Sequence, residues 1–90
     1  VAAENESSPM TQESVVILDP PRTGLHKDMV AMLLKKQPRR IIYLSCDLAT
    51  QARDVRLLTT HYQPVFWKLY NFFPRTPHIE GLIVLGRLEA

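Results

Sequence analysis

The chain has 90 residues, of which 46% are hydrophobic and 22% charged, with a formal net charge of +2 and one cysteine. That is material for one small core, and it is the composition of a soluble globular protein rather than a disordered or fibrous one. A single cysteine excludes an intrachain disulfide framework and, with scattered histidines, leaves no zinc or iron–sulfur ligand set; a reducing, cytoplasmic setting is expected. The longest aliphatic runs, Val15-Val16-Ile17-Leu18 and Leu82-Ile83-Val84-Leu85, fall far short of a membrane span, and no basic region followed by an apolar core marks a secretory leader.

Residues 1–14 are polar, contain Ser7-Ser8-Pro9 and lack an apolar period, so they read as a linker or mobile loop, with order beginning near Ser14. Val15 to Leu18 is short, continuous and rich in β-branched residues. It is expected to form a strand buried on both faces of a parallel sheet, ended by Asp19-Pro20-Pro21. From His26 to Gln37 the apolar residues Met29, Val30, Leu33 and Leu34 recur at helical spacing, and Pro38 closes the segment. Lys35, Lys36, Arg39 and Arg40 flank that proline. They suit either a solvated helix end or a phosphate contact.

Residues 40–44, Arg-Ile-Ile-Tyr-Leu, repeat the buried-strand pattern, and a second helix is predicted from Leu48 with Leu48, Ala52, Val55, Leu58 and Tyr62 inward. Asp47 is its natural N-cap, because a carboxylate there accepts from the unpaired amides of the first turn. Residues 65–72 and 81–88 read as two further strands, separated by Phe73-Pro74-Arg75-Thr76-Pro77. Strands alternating with helices imply parallel pairing, which sets Asp19 and Cys46 at the carboxyl ends of neighbouring strands. If the last two strands pair antiparallel, Glu80 arrives at the same edge. No glycine-rich strand-to-helix turn of the kind that cradles a nucleotide cofactor occurs, so residues 15–90 are expected to be the C-terminal part of a larger domain.

Three groups could carry chemistry. Cys46 stands between a strand and a helix N-terminus, where amides and the helix dipole favour the thiolate, whereas a lone cysteine by itself more often fills buried space. Two prolines stiffen the turn that presents Asp19 and Arg22, which serve a ligand or merely form a corner. Glu80, after the proline-rich segment and near Phe72 and Phe73, is either a base or a partner of Arg75 or His78.

Taken in order, Asp19-Pro20-Pro21-Arg22-x-Gly24, then Ser45-Cys46-Asp47 with Ala49-Thr50 and Ala52-Arg53-Asp54, then Phe73-Pro74-x-Thr76-x-His78-x-Glu80 resemble the closing third of the RNA uracil-5-methyltransferases. This family makes 5-methyluridine in tRNA and large-subunit rRNA. The resemblance implies the C-terminal half of a Rossmann-like S-adenosylmethionine-dependent α/β fold, with parallel strands and an antiparallel last strand. It also implies an RNA partner, Asp19 as a contact to S-adenosylmethionine, Cys46 as nucleophile and Glu80 as base. Phe72, Phe73 or Tyr70 would pack against the target base or fill the core. Where the family usually has Asn and often Pro after the cysteine, this chain has Asp47 and Leu48, and it has Asn71 where the family often has Asp. Asp47 should raise the thiol pKa unless it turns away as an N-cap. Lacking the upstream half of the cofactor site, the fragment alone is expected to be inactive. Two other functions fit parts of the pattern. One is an amino-nitrogen methyltransferase using the Asp-Pro-Pro turn without covalent catalysis. The other is a noncatalytic RNA-binding or interaction module relying on Lys35, Lys36, Arg39 and Arg40.

Overall fold

In the computed structural model, residues 11–71 and 79–88 are described. Aliphatic runs and their proline stops build β1 (Val15–Leu18), α1 (Lys27–Lys36), β2 (Arg40–Ser45), α2 (Leu48–Leu58), β3 (Tyr62–Tyr70) and β4 (Glu80–Arg87). The four strands form one sheet in the order β1-β2-β4-β3, with β1 and β2 parallel and β4 antiparallel to both its neighbours. The last strand in sequence is therefore inserted between β2 and β3, reversed relative to the rest.

Helix α1 starts where His26 Nδ1 accepts the Asp28 amide at 3.1 Å, and it ends at Gln37 in a left-handed conformation, whose amide donates to Leu33 O at 2.9 Å. Pro38 then forbids continuation. Its Val30 and Leu33 meet Val16 and Leu18 of β1, Ile41 and Tyr43 of β2, Ile83 and Leu85 of β4, and Leu58 of α2 in one core. Full burial of an aliphatic side chain of this kind stabilises the fold by about 1.5–3 kcal/mol. At the far end of the sheet Tyr62 Oη donates to Pro38 O at 2.6 Å. Burial, offset in part by Arg87, pushes the Tyr62 phenol up to about 12.

Three expectations are corrected. The strands are not buried on both faces: both helices pack on the side of Val16, Leu18, Ile41, Tyr43, Ile83 and Leu85. Alternation sends Val15, Ile17, Ile42, Leu44, Leu82 and Val84 to the other side, where no helix of the described residues lies; Val15 is 50% exposed and Ile17 44%. The third strand begins at Tyr62 rather than Val65, because an edge strand tolerates Pro64, with a register shift between Pro64 and Phe66. Phe72 lies outside the described residues. The inward face of α2 carries Gln51, Asp54 and Leu58, whereas Leu48 and Ala52 are exposed and Tyr62 belongs to β3. Those two buried polar residues compete successfully with apolar ones because every buried side-chain N or O atom among the described residues has a hydrogen-bond partner.

Candidate active site

Sheet register determines which residues meet. Leu18 pairs with Tyr43 and Ser45 with Gly81, so Asp19, Cys46 and Glu80, each at or just beyond a strand end, share one edge of the sheet. Arg40 opens β2 and Cys46 follows its last residue, so the strand sets Arg39 and Arg40 about 20 Å from that edge at the rise of an extended strand. The basic cluster with Lys35 and Lys36 therefore sits at the opposite end.

Cys46 is exposed because of the turn that holds it. The buried Ser45 Oγ accepts from Asp47 N at 3.0 Å and donates to Asp47 O at 3.1 Å, tying together the residues on either side of the thiol. Asp47 Oδ1 accepts from Thr50 N at 3.0 Å, the N-cap expected from the sequence. Its negative charge is thus directed into the first turn of α2. The Thr50 amide, aided by the Arg22 guanidinium, holds the Asp47 carboxyl below its ordinary value. Of the two outcomes foreseen for the acidic residue beside the thiol, turning away is the one realised.

Asp19 is exposed on the loop after β1. With Leu18, Thr23, Met29 and Met32 it lines an open cavity of about 760 Å³ between that loop and α1. Its lining mixes polar and charged side chains, among them Thr23, Lys27 and Asp28, with apolar ones, the general make-up of a small-molecule site. Cys46 and Glu80 do not line this cavity. Glu80 is half-buried and opposes Tyr70 across the β3–β4 pair. Phe73, Pro74, Arg75 and His78, weighed as its neighbours, lie outside the described residues.

Residues that the sequence offered only as parts of the resembling motifs, with no role assigned, hold these pieces together. Asp54, fully buried on α2, accepts through Oδ2 from Tyr43 Oη at 2.6 Å and from Leu25 N at 2.9 Å. Arg53 Nη2 donates to Asp54 Oδ1 at 3.2 Å and to Thr23 O at 2.8 Å. The loop bearing Asp19 is thereby fastened to the helix that begins beside Cys46. Burial, then the bond to Asp54, drives the Tyr43 phenol far above the ordinary tyrosine range. Gly24, with φ +88, lets the loop approach: a Cβ there would fall against Thr50, Arg53 and Asp54. Tyr43 was the available signal, since a tyrosine in an aliphatic strand needs a buried partner for its hydroxyl.

A partly parallel sheet with a reversed strand inserted beside β3, helices between the strands and candidate residues at the strand ends defines the C-terminal half of a Rossmann-like, S-adenosylmethionine-dependent methyltransferase fold. The solved structure of the Pyrococcus abyssi tRNA (uracil-54, C5)-methyltransferase in complex with S-adenosyl-L-homocysteine superposes with a TM-score of 0.74 at 42% identity, over 79% of this chain and 18% of that one. Residues 9–88 match the family described as tRNA (Uracil-5-)-methyltransferase, and the chain belongs to that family. Uncharacterised RNA methyltransferases from Nitratidesulfovibrio vulgaris and Mycoplasma mobile are 47% and 46% identical over 84% and 88% of this chain. The chain spans only 16% and 22% of those two curated relatives. Among the described residues, no helix is long and apolar enough to cross a membrane.

Proposed function

We propose that this chain contributes the nucleophile, the base and one methyl-donor contact to an RNA uracil-C5 methyltransferase, with a uridine of tRNA or rRNA as the target. The observation that carries the proposal is the strand register that brings Asp19, Cys46 and Glu80 to one edge. Uracil C5 is a poor nucleophile, so catalysis needs a group that adds to C6 and makes C5 electron-rich. The Cys46 thiolate forms the S–C6 bond, and the ring's π electrons move to C5 and O4 as an enolate. Asp19 would hold S-adenosylmethionine in part, and its sulfonium would supply the methyl group: C5 bonds to the methyl carbon as the methyl–sulfur bond breaks with its electron pair left on sulfur, and S-adenosylhomocysteine leaves. Glu80 then accepts the C5 proton, the C5–H pair restores the C5–C6 double bond, and the C6–S bond breaks to return the thiolate.

The target base must leave its stack to reach an edge of this kind, which favours a loop or unpaired uridine. Because the chain spans so little of its relatives, the isolated 90-residue polypeptide is expected to lack activity, and the reaction is assigned to the whole protein.

The test uses the full-length protein containing this chain, with S-adenosylmethionine and RNA bearing 5-fluorouridine. Fluorine at C5 cannot leave as a proton, so the reaction halts after methyl transfer and a covalent protein–RNA adduct is expected on a denaturing gel. No adduct under conditions where ordinary RNA is methylated refutes the assignment. A Cys46→Ala protein that methylates normally does so too, and would redirect attention to amino-nitrogen methylation without covalent catalysis.

A further inference from the structure

Helix α2 carries a second buried polar residue, and its bonds lead to the other half of the proposed site. Gln51 is 2% exposed, and its Nε2 donates to Tyr43 O of β2 at 3.1 Å and to Gly81 O of β4 at 2.8 Å. Both amide hydrogens are therefore used, each on a different strand. Gly81 is the residue opposite Ser45, so the clamp sits at the last register pair before Cys46 on one strand and Glu80 on the other. The fit is close: a Cβ at Gly81 would fall against Leu48 and against the Gln51 side-chain oxygen. The backbone amide of Gln51 also donates to Asp47 O at 3.0 Å, which locks the same residue to the turn that presents the thiol.

We propose that Gln51 is a positioning residue that fixes Glu80 relative to Cys46, and that it governs release of the product rather than attack on the base. This rests on the reading of Cys46 as nucleophile and Glu80 as base. Addition at C6 requires only Cys46 and the ring. Removal of the C5 proton, by contrast, needs the Glu80 carboxylate at the opposite end of a geometry that the Gln51 clamp defines. Without the clamp the Tyr43 and Gly81 carbonyls each lose a hydrogen bond from α2, and the start of β4, still paired with β2, loses its tie to that helix. The methylated ring then stays bonded to Cys46, because the C5–H electron pair is not released to expel the sulfur.

The experiment compares the full-length protein with its Gln51→Met variant, which keeps the side-chain length and removes the donors. Each is given S-adenosylmethionine and, separately, ordinary RNA and 5-fluorouridine RNA. For Gln51→Met we expect turnover on ordinary RNA to fall about 10- to 100-fold, the scale of an ångström-level misplacement. Trapping on 5-fluorouridine RNA should be nearly unchanged, and a denaturation-stable adduct should now accumulate on ordinary RNA. Unchanged turnover overturns the inference. So does a loss of turnover matched by an equal loss of trapping with no adduct on ordinary RNA, since that is the behaviour of a smaller folded fraction. If Gln51→Met gives no soluble protein, the same comparison is made on Gln51→Asn, whose shorter amide cannot reach both carbonyls. Absence of trapping in the unsubstituted protein overturns the covalent reading itself, a result distinct from the other two.

Discussion

Replacing Tyr43 with Phe deletes one oxygen and leaves the ring in place. That oxygen is the 2.6 Å donor to Asp54 Oδ2, inside a region where both residues are completely shielded from solvent. Water cannot take over, so the carboxylate oxygen is left with the Leu25 amide alone. A hydrogen bond to a charged group contributes about 1.5–3 kcal/mol, and for a urea dependence of about 2 kcal/mol/M a loss of about 2 kcal/mol lowers the unfolding midpoint by about 1 M. Tyr62 provides an internal comparison, because its hydroxyl donates at 2.6 Å to the neutral carbonyl of Pro38. Tyr62→Phe is expected to cost about 0.5–1.5 kcal/mol. Urea unfolding of the purified protein, followed by circular dichroism, gives both values. Hydrogen exchange at the Leu25 amide should also accelerate in Tyr43→Phe, since the carboxylate that holds it is freed to move. A Tyr43→Phe cost under about 0.5 kcal/mol, or one smaller than that of Tyr62→Phe, refutes the claim that a buried charge organises this part of the fold.

Two further outcomes follow from the same geometry. Gly24→Ala places a Cβ against Thr50, Arg53 and Asp54 at a residue with φ +88; it should destabilise by at least about 1–2 kcal/mol, measured by thermal or urea unfolding, and an unaffected midpoint would contradict the close approach of loop and helix. Asp47 has its carboxyl value lowered in the folded state, chiefly by the Thr50 amide. Its contribution to stability is therefore complete above the ordinary carboxylate value of about 3.9 and is lost as pH falls through the lower folded value. Asp47→Asn keeps the cap without the titration, so the stability difference between the two proteins should be flat at neutral pH and change only in acid. A difference independent of pH down to 2 would contradict that assignment.

The elements with strong local signals were readable before the structure. Val15 to Leu18 and the segment after Pro38 are aliphatic enough to specify strands, and Pro38 and Asp47 punctuate the helices for reasons confined to their own turns. The common edge of Asp19, Cys46 and Glu80 followed from topology, since parallel strands and one reversed strand bring those ends together. What was hidden depends on distant partners. Gln51 and Asp54 look like the solvated stripe of α2, because pattern reasoning assigns polar residues to water. Only the carbonyls of Tyr43 and Gly81, the Tyr43 hydroxyl and the Leu25 amide make that stripe an inward one. The start of β3 was missed for a related reason: Pro64 argues against a strand unless the strand is known to lie at an edge.

The reversed course of β4 decides which changes in chain length the site can absorb. Glu80 is placed by pairing with β2 and β3, not by the route the chain takes to reach it. Residues gained or lost between Tyr70 and Glu80 do not by themselves relocate the carboxylate. One residue gained or lost between Glu80 and Gly86 would turn the carboxylate to the other face of the sheet, because successive strand residues point in opposite directions. Tolerance to insertion should thus change abruptly at Glu80, a boundary set by the direction of a strand rather than by the chemistry at its end.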